Sequence, residues 1–370
     1  MPVPLDEFPV HQAPLSMAHV VSSDRNAYDR YYFNGHGRAG DPIFVTGFGV
    51  YPNLGVVDAF ATVRTGDRQV SVRVADALGD DRMHTAVGPY RIEVVEPLQT
   101  LRIVLDADDH GLGFDLTWRG SFPAILEEPH VYRPAGRIIL DAQRFAQVGT
   151  WEGVLRVEGT EVTIEPDTWL GTRDRSWGIR PVGEPEPPGR GADEGLEGFW
   201  WCYVPLRFEE FALVLIVQES PDGTRTLNQA SRVWPAESGK GIEQLGWPEI
   251  DVRYRSGTRH PEGATIELRS RDGKPLVVEV ETLGYVALNA GPGYGGDPTW
   301  THGAWKGRGW VEGVVTDLDD PAVAAMVPFS VVDHACRATC DGAEGWGLFE
   351  LGTFGRHDPS GFQDYSSVAP

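Results

Sequence analysis

Positions 173–180 read Arg-Asp-Arg-Ser-Trp-Gly-Ile-Arg, three guanidiniums and one carboxylate around a Trp-Gly corner. Asp174 can accept paired hydrogen bonds from a guanidinium, and the Trp177 ring can be covered by one. Gly178 permits a close backbone approach or a positive φ. Two readings of this corner stand side by side. In one, an Arg–Asp network plugs the end of a β-barrel. In the other, the corner is a polar site at a cavity mouth, with Asp174 as proton donor and Arg175 and Arg180 holding the polar end of a substrate. Acid work near neutrality then requires burial to raise the Asp174 pKa. A second carboxylate, Glu350, lies in the aromatic run Gly345–Asp358. Strand alternation places Leu348, Glu350 and Gly352 on one face and Phe349 and Leu351 on the other. If the Glu350 face is internal, Glu350 is a desolvated general acid; if external, it is a surface residue.

Asp333-His334-Ala335-Cys336, with Cys340, offers His and Cys donors for a metal. The C-x3-C spacing is not that of a zinc knuckle and no fourth ligand is evident, so no metal is expected. His334 is kept as a candidate substrate contact. Tyr31, Tyr32 and Asn34 combine aromatic walls with hydrogen-bonding groups, as a binding site or as a barrel-end seal. Among the 12 tryptophans, Trp118, Trp201 and Trp305 are candidates to line an aromatic cavity, where ring faces stabilise cations. The alternative for such rings is packing between sheets. The sequence has no G-x-S-x-G, H-E-x-x-H or phosphate-loop motif.

The elements that must position these groups are strands. Val56–Arg64, the turn at 65–67 and Gln69–Val74 alternate with period two. So do Val154–Val157 with Glu161–Ile164, and Thr265–Ser270 with Leu276–Thr282. The 45 glycines and 28 prolines punctuate them. Helical periodicity is confined to Pro321–Met326, with Asp319 or Asp320 as N-cap, and to Leu140–Gln147, which also fits an irregular strand. The expected class is all-β, antiparallel, in two packed units. The expected divisions are an N-terminal extension at 1–27, a first module at 28–180, a Pro/Gly/acidic loop or lid at 181–198 and a second module at 199–370.

The 370 residues carry a net charge of −22. That charge, with no compensating basic run, argues against nucleic acid and anionic lipid as partners. At 41% hydrophobic the chain can bury a large core. The longest apolar run, Phe211–Val217, is far short of the roughly 20 residues of a membrane helix, and no secretory signal opens the chain. Three cysteines do not make a disulfide framework, so a cytoplasmic location is expected.

The aromatic strands, the Arg173–Gly178 corner, Gly347-Leu348-Phe349-Glu350 and Gly355-Arg356 resemble the carotenoid 1,2-hydratase (hydroxyneurosporene synthase) and AttH-like superfamily. The resemblance covers most of residues 28–362. It implies two lipocalin-like β-barrel modules packed side by side with a ligand cavity near their junction, and no metal or organic cofactor. Its members include hydratases of terminal C=C bonds and fungal cyclases. The resulting expectation is a cofactor-independent hydratase, isomerase or cyclase acting on an unsaturated apolar small molecule, terpenoid or polyketide-like. Asp174 or Glu350 would protonate the alkene, and Trp or Tyr faces would stabilise the cation. A non-catalytic lipid or terpenoid carrier and a carbohydrate-active β protein are the alternatives.

Overall fold

The computed structural model describes residues 2–133, 136–183, 197–295, 297 and 299–370. Its strands form two curled antiparallel half-barrel sheets, the two lipocalin-like modules expected. Among the described residues one sheet has 14 strands and the other nine. Ala27–Gly37, Trp169–Ile179 and Leu140–Val157 lie side by side in the first sheet. Gly198–Phe208, Ala343–Gly355 and Val332–Cys340 lie side by side in the second. Leu140–Gln147 is therefore strand, the beginning of an 18-residue one. The period-two reading wins there because each edge of that strand finds a partner.

Pro321–Met326 is a helix, and the Asp320 carboxylate accepts from Ala322 N at 2.8 Å. No helix among the described residues is long and apolar enough to cross a membrane. Chain order and sheet membership part company at Trp310–Asp317, which leaves the second half of the chain to pair with Arg68–Ala77 in the first sheet. Of the 181–198 segment, positions 184–196 lie outside the described residues.

Each half-barrel is filled by its own side chains. The first encloses Phe33, Phe44, Trp118 and Trp151. Trp118 and Trp151 meet edge to face at 5.1 Å, and the Trp151 indole N–H donates to Asn34 O at 2.8 Å. Gly171 makes that bond possible, because a Cβ there would collide with Asn34 O. The second encloses Cys202, Val204, Cys336, Cys340 and Phe349.

The outward faces of the two sheets then pack on each other. Ala146 and Val148 meet Trp201, Tyr203 and Ile216 in one cluster. Tyr32, Val45 and Phe60 meet Leu288, Trp300 and Ala335 in another. Polar ties cross the same interface. Gln69 donates to Ala287 O and Ala290 O at 2.9 and 2.6 Å, and Arg73 pairs with Asp297 at 2.8 Å with both side chains 2% exposed.

Replacing Trp151 by Ala removes a fully buried ring and leaves a cavity, so the expected loss is about 3–5 kcal/mol. Trp305, 54% exposed, is expected to change stability by about 0.5 kcal/mol or less on the same substitution. Urea unfolding of both variants checks the pair; equal losses would contradict this account of the core.

Candidate functional site

A cavity of about 220 Å³ lies between the two sheets, outside both filled half-barrels. Strand alternation builds its first wall. Tyr28, Arg30 and Tyr32 project from Ala27–Gly37, Asp174 and Ser176 from Trp169–Ile179, and Ala142 and Arg144 from Leu140–Val157. Their ladder register sets Tyr32 and Ala146 on either side of Asp174, and Arg30 and Arg144 on either side of Ser176. Trp201, Ile216 and Glu350 come from the second sheet, opposite.

Glu350 faces Asp333 across the Val332–Cys340 and Ala343–Gly355 ladder. Two bare carboxylates so placed repel, which favours a proton on one of them. Burial pushes the Asp333 carboxyl well above the usual carboxylate range, and the adjacent Glu350 charge adds to the effect. Burial raises Glu350 as well. Each member has an outer partner: the Tyr32 hydroxyl on Asp333 and the Trp201 indole N–H on Glu350. Asp333 is completely buried, whereas Glu350 lines the cavity. The arrangement is a proton store with one member at the wall and the other behind it.

Asp174 is the third acid. It lines the cavity, is 8% exposed, and no described side chain donates a hydrogen bond to its carboxyl group. Burial raises its pKa, opposed by the guanidiniums of Arg144, Arg30, Arg180 and Arg175. Arg144 pairs with buried Glu127 at 2.5 Å and lies 4.1 Å over the Tyr203 ring, and its Nη2 has no hydrogen-bond partner among the described residues. Arg30 donates to the Tyr294 hydroxyl at 3.2 Å. His130 stacks on Trp201 at 5.5 Å and shares a hydrogen bond with Gln218; burial brings its pKa down to about 4, so the ring is neutral.

Of the residues singled out by sequence, Asp174, Glu350, Arg180, Tyr32 and Trp201 line this cavity. The others do not, and alternation explains most of them. Arg175 and Trp177 lie on the opposite face of the Asp174 strand. Arg175 pairs with Asp29 and covers the Tyr31 ring at 3.9 Å, while Trp177 meets Phe145 and is 38% exposed. Tyr31 accordingly packs towards the first half-barrel. Trp118 is a core residue there, and Trp305 is a surface residue.

Asn34 points to neighbouring backbone and Thr172, donating at 2.6 Å and accepting from Thr172 N at 3.0 Å. His334 faces away from Asp333, against His260 and Tyr285, with Nδ1 on Phe349 O at 3.2 Å. Among the described residues no three ligand-type side chains are grouped to hold a metal. Gly178 has φ 134° and lies where a Cβ would strike Asp141 O, as its place in the corner suggested.

Sequence reasoning missed Asp333, Arg144, Glu127, Arg30 and His130. Asp333 carried the one available signal: a carboxylate in register with an apolar strand, next to the His and Cys that drew attention to the other face.

The proton store makes stability pH-dependent. A carboxyl raised in the folded state favours folding below its unfolded pKa, about 4, and that advantage is lost as pH rises through the folded value. Asp333→Asn removes the titration. Relative to wild type, this variant is expected to gain stability as pH rises from about 5 to about 8, above the unfolded pKa, in urea unfolding. Parallel curves would refute a raised Asp333 carboxyl.

The sequence matches the model of a family of unknown function (DUF8625) over residues 3–363. No curated protein matches it. Among solved structures, a protein assigned as AttH from Nitrosomonas europaea aligns with TM-score 0.52 at 12% identity, covering 93% of this chain and 98% of that one. Kievitone hydratase from Nectria haematococca aligns with TM-score 0.46 at 14% identity, covering 87% and 88%. At 12% identity the likeness to the AttH-assigned protein is one of fold alone, and at that level it bears out the AttH side of the resemblance but not the carotenoid 1,2-hydratase side.

Proposed function

The chain belongs to the family of unknown function DUF8625, and we propose that it is a cofactor-independent hydratase, or an isomerase or cyclase using the same acid chemistry, for an unsaturated small molecule. The observation that carries this reading is the Asp333–Glu350 pair, a buried carboxyl group facing a second one at the cavity wall. An alkene is a weak base, so protonating it requires an acid kept neutral at working pH and a site that tolerates the cation formed. The proton would pass from Asp333 through Glu350 to carbon. The Trp201 face would lie beside the carbocation. Asp174, to which no described side chain donates, would take the proton of an incoming water, and its return to the Asp333–Glu350 pair would reset the site; the sum is addition of H and OH across the double bond. Omitting the water and removing a different C–H proton gives isomerisation or ring closure.

The cavity's character refines the substrate. Trp201, Phe199, Ile216 and Leu288 favour an apolar body, while Arg30, Arg144 and Arg180 favour an oxygen-bearing end. This is a more polar cavity than an aromatic barrel would offer, and it suits a terpenoid or polyketide carrying a hydroxyl, ketone or carboxylate better than a pure hydrocarbon. The three cysteines are free, in keeping with a reducing compartment.

The test starts from the ligand that co-purifies, identified by native mass spectrometry and returned to the purified protein. A gain of one water, or an isomer of unchanged mass with a new retention time, is the expected product. Glu350→Gln is expected to slow its formation by about 10²–10⁴-fold, the usual contribution of a general acid, while leaving ligand retention in place. Asp174→Asn is expected to suppress hydration more than isomerisation. A ligand recovered chemically unchanged from wild type would replace the enzyme with a carrier.

A further inference from the structure

The second half-barrel has a site of its own. At its mouth an open groove of about 750 Å³ is lined by Trp200, Glu219, Asn228, Tyr254, His357 and Ser360. None of these residues lines the cavity between the sheets. Five of them form a continuous hydrogen-bond chain. Trp200 Nε1 donates to the Tyr254 hydroxyl at 3.3 Å, and that hydroxyl lies 3.2 Å from Ser360 Oγ. Ser360 Oγ is 2.8 Å from His357 Nδ1, and His357 Nε2 is 3.0 Å from Glu219 Oε2.

The direction of the protons follows from the ends. Glu219 is held in the ionised form; burial pushes its pKa up, but the hydrogen bonds from His357 and Arg225 outweigh it, the latter at 3.0 Å. An ionised carboxylate only accepts, so Nε2 carries the imidazole proton and neutral Nδ1 accepts from Ser360. Indole N–H only donates, so the Tyr254 O–H proton turns to Ser360 Oγ or to Thr353 Oγ1, 3.3 Å away. The histidine plane is fixed by Trp200, stacked on it at 5.4 Å and 9°. His357 is 2% exposed, whereas Ser360 stands at the groove surface on the short helical turn Asp358–Ser360.

A hydroxyl against an imidazole whose other nitrogen is fixed by a carboxylate is the arrangement of an activated nucleophile. We propose that Ser360, His357 and Glu219 form a second catalytic centre, an acyl-ester hydrolase independent of the cavity between the sheets. Ser360 Oγ attacks the ester carbonyl while His357 Nδ1 takes the hydroxyl proton. The tetrahedral adduct expels the alcohol, which receives that proton, and leaves the acyl group on Ser360. Water, giving a proton to the same Nδ1, attacks the acyl-serine; release of the carboxylic acid returns the proton to Ser360. Ring nitrogen Nδ1, rather than Nε2, serves as the base here because Nε2 is committed to Glu219. The Tyr254 hydroxyl, 3.2 Å from Ser360 Oγ, is placed to donate to the adduct's oxyanion. Trp247, 75% exposed at the rim, with Ile250 and Val252, offers the acyl chain an apolar surface.

The full chain is treated with a fluorophosphonate probe and assayed separately with p-nitrophenyl acetate. The expected result is one phosphonylated peptide carrying Ser360, and ester hydrolysis that falls at least about 100-fold in both Ser360→Ala and His357→Gln. Thermal unfolding of the variants separates loss of chemistry from loss of fold. Should His357→Gln unfold, Ser360→Cys in the intact relay is expected to react with iodoacetamide faster than Cys202, Cys336 and Cys340, all buried. No label on Ser360, a label on another serine, or hydrolysis unchanged in a folded Ser360→Ala chain would each overturn the proposal.

Discussion

Two sheets, each curled around its own filled interior, are pressed together by their outer faces. That contact governs the rest of the molecule. The outer face of a β-sheet normally meets water, so its alternating side chains are often polar. Here the same face is buried, and its polar groups must find partners across the interface or be neutralised. Gln69 reaches the backbone at Ala287 and Ala290, and Arg73 pairs with Asp297, while Arg144 finds Glu127 on its own sheet. Among the described residues no cation is bonded to the carboxyl groups of Asp333 and Glu350, and burial raises both. Breaking a buried pair by removing one partner costs several kcal/mol, roughly 3–5, so the ties that cross the interface help hold one sheet on the other.

The cavity is a consequence of the same docking. Each half-barrel is filled by its own side chains, so the open space lies between the two sheets rather than inside either. Its walls inherit charged residues from two sheets, in a setting where water is scarce and electrostatics are strong. A neutral carboxyl, a carboxylate and several guanidiniums can then coexist within one small volume. The groove at the mouth of the second half-barrel is different: it is open, and its polar groups are ordered into a single hydrogen-bond chain.

Particular residues show how far the sequence reached into the site. Glu350 was visible because a carboxylate interrupted an aromatic strand, and Asp174 because arginines crowded it in an acidic chain. Period two told which neighbours share a face, yet it left open which face is internal. Arg175 and Trp177 were grouped with Asp174 by proximity in sequence, and the pleat carried them to the other side. Trp118 followed the average behaviour of tryptophan and packed in a core. Asp333 is 17 positions from Glu350 in the chain, and only the register of an antiparallel ladder makes them partners.

By itself the sequence determined the all-β class, the hairpins and the short helix at Pro321–Met326, and it singled out Asp174 and Glu350 without deciding whether they are buried. These follow from alternation, turn residues and capping, which act over a few positions. The tertiary structure alone decided which faces of the sheets meet and that Trp310–Asp317 crosses back to the first sheet. It also decided that Asp333 and Glu350 face each other. Each of those outcomes depends on contacts between distant segments, and local residue patterns carry no information about the partner that a buried face will find.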